Sequence, residues 1–152
     1  MKPIADILRT EIASLTENTN YHLIDLKCFF SKKSVQIGIF MDKEEGFFSH
    51  QDCAFWTNKI QDIIDGKELI ADNYRLEISS PGIGRPLTET WEFRKNLEQK
   101  LEIDYTDEEG IIRTFSGVLV NVSDGIISLK NKNEVREFSR ETVKKAVVKI
   151  PW

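Results

Sequence analysis

The chain is poor in the residues that build metal centres and disulfide frameworks. Its 152 residues include two cysteines, Cys28 and Cys53, and two histidines, His22 and His50. No pair has C-x-x-C or H-x-x-x-H spacing, so no zinc motif is written here. Both cysteines stand in apolar surroundings and read as reduced thiols. Neither a metal nor a cofactor is expected. No apolar run approaches the roughly 20 residues that span a bilayer. Asp6 and Glu11 break the N-terminal apolar pattern, which a signal peptide would keep whole. The expectation is a cytoplasmic protein without membrane contact. The phosphate loops G-x-x-x-x-G-K-[ST] and G-x-G-x-x-G are absent, as is the G-x-S-x-G nucleophile elbow. An excess of positive charge is also lacking. The net charge is −4, which argues against a general nucleic-acid binder.

The charge that is present is unevenly placed. From Leu129 to Trp152, seven Lys and Arg stand against three Glu, a surplus of +4, so residues 1–128 carry −8. An acidic body suits a basic protein partner, and a basic end could touch RNA.

Apolar periodicity gives the organisation. Pro3 opens a helix whose buried face is Ile4, Leu8, Ile12 and Leu15. Residues 21–30 and 35–42 read as strands around a turn at 31–34. Ser49 with Asp52 resembles a helix start, Cys53, Trp56, Ile60, Ile63 and Ile64 form an apolar face, and Gly66 is a C-terminal cap. Residues 73–79 make a third strand. Thr88 caps a short helix through Trp91, Phe93 and Leu97. Five short strands follow, at 100–105, 111–122, 126–130, 134–138 and 143–150. Tight turns join them, the pattern of a small closed or nearly closed barrel. Gly117 sits where one strand must bend. The aromatic pairs Phe29-Phe30, Phe47-Phe48 and Phe55-Trp56 read chiefly as core. The fold class is α+β. A two-layer helix-strand-strand-helix-strand domain over 1–87 precedes a barrel domain over 88–152.

Several groups could carry function. Ser79, Ser80, Pro81, Gly82, Arg85 and Pro86 lie at the domain junction. Pro81-Gly82 has the chemistry of a type II turn with positive φ at Gly82, and the segment reads as a rigid corner. Glu102 and Asp104 alternate with Leu101, Ile103 and Tyr105, and Glu108 sits in the next turn. The plain reading is the wet face of a strand plus a hairpin tip. The sharper one is a docking surface for a basic protein. Arg136, Lys145 and Lys149 are the RNA candidates against a plain solvated surface; Lys145 and Lys149 share a strand face and Lys144 points the other way.

Ile78-Ser79-Ser80-Pro81-Gly82-Ile83-Gly84-Arg85-Pro86-Leu87 resembles the signature of the RimP family of bacterial ribosome maturation factors. Met41-Asp42, Gly46, Asp52-Cys53-Ala54, Ile64-Asp65, Trp91-Glu92-Phe93 and Phe115-Ser116-Gly117-Val118-Leu119 agree in order. The likeness covers nearly the whole chain. It implies an N-terminal α/β domain and a C-terminal SH3-like or Sm-like barrel. It also implies a non-enzymatic, monomeric factor for the small (30S) ribosomal subunit. Its partners would be the subunit precursor, its basic twelfth protein and ribosomal RNA. The chain looks like a divergent member: Gly84 stands where the family usually has aspartate, Glu45-Gly46-Phe47 stands for a Gly-Gly-Ile-type segment, and a glycine common near Glu98 is missing. The rival readings are a stand-alone Sm-like RNA-binding chaperone and a small hydrolase using Ser80 or Cys53.

Overall fold

The computed structural model describes residues 3–71, 73–81 and 85–149. The chain divides into two compact units, Met1–Pro81 and Gly82–Trp152. The first mixes helices and strands, the second is built on a five-stranded antiparallel sheet, and the class is α+β.

The first unit runs α1 (Ile4–Thr16), β1 (Tyr21–Phe30), β2 (Ser34–Lys43), α2 (His50–Gly66) and β3 (Asn73–Ser79). β1 and β2 form an antiparallel hairpin, and β3 returns parallel to β2 through α2, giving the order β1-β2-β3. Alternation along β2 sends Val35, Ile37, Ile39 and Met41 into a core closed by Leu8, Ile12, Trp56, Ile60, Ile64 and Ile78. Ile63 and the two cysteines pack at the edge of that core. Leu15, in the last turn of α1, lies outside the buried face and is 39% exposed.

α2 starts where the sequence indicates. The Asp52 amide donates to Ser49 Oγ at 3.2 Å, and the Ser49 amide donates to Asp52 Oδ2 at 2.8 Å. Aspartate thus fills the place that glutamate usually takes in this reciprocal cap. Tyr21 donates to the same carboxylate at 2.6 Å, and Lys43 Nζ lies 2.9 Å away. The Tyr21 hydroxyl, the Ser49 amide and Lys43 hold the Asp52 carboxyl well below the usual carboxylate range. The helix ends differently from expectation. Gly66 is its last residue, and Glu68 takes the left-handed position at φ 50° so that Leu69 N–H can reach Ile64 O at 3.0 Å. Of the aromatic pairs, Phe48 and Trp56 enter the core while Phe47 and Phe55 face solvent; Phe29 and Phe30 are both exposed at the end of β1.

The second unit contains α3 (Thr90–Lys95) and strands β4 (Lys100–Thr106), β5 (Ile112–Ser123), β6 (Ile126–Asn131), β7 (Glu134–Ser139) and β8 (Val143–Val148). The sheet order is β7-β6-β5-β4-β8. Its core gathers Phe93, Leu101, Ile103, Tyr105, Leu119, Ile127, Leu129, Phe138 and Ala146, with Leu87 packed against it. Tyr105 on β4 and Phe138 on β7, three strands apart in that order, bring their rings to 4.8 Å. Thr88 does not cap α3 as the sequence suggested. The N-cap is Glu89, and the Glu92 carboxylate accepts from Thr88 N, Thr88 Oγ1 and Glu89 N at 3.0–3.3 Å. At Gly117 a Cβ would fall 2.8 Å from the Lys130 carbonyl oxygen of β6. The close approach of the next strand is what requires glycine there.

Candidate functional site

The junction residues lie along one chain segment. Ser79 ends β3 opposite Phe40, Ser80 and Pro81 follow, and Arg85 and Pro86 are exposed. Gly82, with its expected positive φ, lies outside the described residues. Beyond the junction, Leu87 N–H donates to Ala146 O at 2.8 Å, which ties the start of the second unit to β8.

β4 alternates as expected. Leu101, Ile103 and Tyr105 are buried, and Glu102 and Asp104 point outward. The antiparallel β4/β8 pairing then mixes the acidic and basic candidates on one surface. Lys149 Nζ lies 3.2 Å from Glu102 Oε2. Lys145 stands opposite Asp104 in register, but Asp104 turns to the other side and accepts from Thr114 Oγ1 of β5 at 2.9 Å.

Glu108 lies apart, on the β4–β5 turn. There Asp107 accepts the Glu109 and Ile111 amides and Arg113 Nε, and the Arg113 guanidinium leads in holding its carboxyl down. Glu108, Glu109 and Glu137 line an open cleft of about 430 Å³ with Tyr105, Phe138 and Arg136. Arg136 is an internal brace as much as a surface cation. It stacks 4.9–5.5 Å from the rings of Tyr105, Phe115 and Phe138 and donates to Tyr105 Oη at 3.2 Å.

The fold gathers a second cationic group. Arg140 follows β7, stacks 4.6 Å over Phe93, and donates to Thr90 Oγ1 at 2.9 Å and to Thr88 O. Beside it the β4/β8 register slips, so that Tyr105 faces Val143 while Asp104 faces Lys145. Lys144 is the extra residue of a β-bulge, and a bulge re-aims side chains. Lys144 and Lys145 therefore line one recess of about 200 Å³ with Arg140, Leu87, Thr88 and Phe93. Strict alternation would have put the two lysines on opposite faces. The basic surplus of the C-terminal segment and the adjacent Lys144-Lys145 pair are the traces of this site in the sequence.

Little here suits nucleophilic chemistry. Burial, with Asp52 adding, pushes the Cys53 thiol up, the reverse of an activated thiolate. His50 lies one helical turn away without a hydrogen bond to it. Among the described residues, no cluster of three His, Cys, Asp or Glu could hold a metal ion, and no helix is long and apolar enough to cross a membrane.

Residues 11–84 match the family model of the RimP N-terminal domain, which spans the core of the first unit and runs into the SSPGIGRPL segment. The match supports the chain as a member of the RimP family, a family of ribosome maturation factors.

Proposed function

We propose that the chain is an assembly factor for the small (30S) ribosomal subunit, acting in the cytoplasm as a monomer and without catalysis. The observation that carries this is the RimP N-terminal match over 11–84. In this reading the domains are 1–87 and 88–152, and residues 79–86 lie where one gives way to the other in the sequence. The second is an SH3-like or Sm-like barrel. Support for the barrel comes from its edges. β7 and β8 are the two ends of the sheet order, yet only residues 140–142 separate them. Such a link reaches about 14 Å, whereas four flat strand spacings need about 19 Å. The sheet must curl, as the Tyr105–Phe138 contact requires.

The basic twelfth protein of the small subunit is met first, through Glu102, Asp104 and Glu108, and ribosomal RNA second, through Arg136, Lys145 and Lys149. An acidic surface speeds encounter with a basic partner, and salt slows it. Changing Glu102, Asp104 and Glu108 to Lys should weaken binding of that purified protein and leave naked RNA binding equal or stronger. Changing Lys145 and Lys149 to Glu should barely alter the protein contact. Titrations in which the acidic triple variant binds the protein as well as the parent would remove this division of roles. A stand-alone Sm-like RNA chaperone is the second reading, favoured by the carboxylate-free recess beside β8.

A further inference from the structure

We propose that the recess between Leu87–Thr88, Phe93 and the bulged start of β8 binds a backbone phosphate of RNA, with Arg140, Lys144 and Lys145 as its cationic walls. This rests on the RNA half of the proposed function and gives it a different site from the one the sequence indicated.

The sign of the recess is unambiguous. Three of its lining residues are cations and none is a carboxylate. Among the described residues neither Lys144 nor Lys145 has an ion-pair partner; Asp104, opposite Lys145 in register, accepts from Thr114 of β5. The other RNA candidates are occupied: Lys149 by Glu102, and Arg136 by three rings and the Tyr105 hydroxyl. Arg140 is preorganised. Phe93 supports its plane, and Thr88 and Thr90 take two of its five N–H groups. A fixed guanidinium beside two mobile ammonium groups suits a phosphate, which accepts hydrogen bonds from several directions. Size selects the ligand. At about 200 Å³ the recess is smaller than the roughly 300–1,000 Å³ of sites that enclose small-molecule ligands. It fits one phosphate group of a longer chain better than a whole nucleotide.

The test is fluorescence anisotropy of the full chain with a labelled single-stranded oligonucleotide of small-subunit ribosomal RNA, titrated across KCl concentrations. In the parent, the one phosphate held in the recess should contribute about −0.7 to the log–log salt slope on single strands. K144Q/K145Q should remove most of that contribution, reducing the slope by about 0.7, and should lower low-salt affinity. K27Q/K59Q removes the same charge from the first unit and should leave the slope unchanged. Both exposed lysines of β8 can be lost without disturbing the core, and an unchanged thermal melt would verify this. Parent-like affinity and slope in K144Q/K145Q, equal losses in K27Q/K59Q, or no RNA binding by the parent would each overturn the proposal. Binding of inorganic phosphate by the parent, lost in K144Q/K145Q, with no binding of the oligonucleotide would overturn the assignment to RNA. Sedimentation of K144Q/K145Q with small-subunit precursors separates the two ideas: a variant that sediments normally yet binds RNA like the parent sinks the recess and spares the assembly role.

Discussion

Asp52 shows how much one side chain can hold. Its carboxylate caps α2, receives the Tyr21 hydroxyl and pairs with Lys43, so it ties α2 to the first two strands. Asp52→Asn removes the charge from a mostly buried site and should cost about 1–3 kcal/mol in urea unfolding. The pH dependence has a definite sign. The folded carboxyl titrates below the ordinary value of 3.8, so its stabilisation is complete above that pH and is lost as pH falls toward the folded value. The parent should therefore lose stability below about pH 4, and the Asn variant should lose less over that window. Glu98 carries a cost of the opposite kind. It sits at φ 73°, in the left-handed region that favours glycine. The left-handed region costs a non-glycine residue about 1–2 kcal/mol, against about 0.5–1 kcal/mol for the extra freedom of an unfolded glycine. Glu98→Gly should stabilise the second unit by up to about 1 kcal/mol, and a lower melting temperature would contradict this.

At the scale of elements, legibility followed whether a signal was local. The start of α2 could be read because Ser49 and Asp52 are three residues apart and cap each other. The outward face of β4 could be read because alternation is a property of one strand. The β4/β8 register could not. Which carboxylate meets which lysine, and the slip that brings Lys144 beside Lys145, depend on a strand about 40 residues further on. Arg136 was legible as a cation but not as the brace of Tyr105, Phe115 and Phe138, since those rings arrive from three strands. Gly117 is an intermediate case. The need for glycine could be read, but its cause, the Lys130 carbonyl of β6, could not. Gly117→Ala would force two backbones apart, and we expect a loss of about 1–3 kcal/mol by chemical denaturation. A loss below about 0.5 kcal/mol would mean β5 and β6 separate easily.

At the scale of the whole molecule, the fold class and the family were legible. The fold class came from a change of rhythm, from helix and strand to strands alone. The family came from one dense stretch, SSPGIGRPL, with its order of neighbours. The proposed partner surfaces rest on a charge split, −8 over residues 1–128 against +4 over 129–152. Folding interleaves those charges along β4 and β8, so the proposed protein-binding and RNA-binding residues overlap at Glu102–Lys149. The two partners would then compete where they meet that edge and differ in salt dependence elsewhere.

The central claim, a factor that works on the small-subunit precursor, is tested most directly by sucrose-gradient sedimentation of the full chain with purified precursor particles, mature small subunits and large subunits. The account predicts that the chain travels with small-subunit particles, more with precursors than with mature subunits, and stays at the top of the gradient with large subunits. A chain that remains at the top with every particle, or that follows the large subunit, would contradict it.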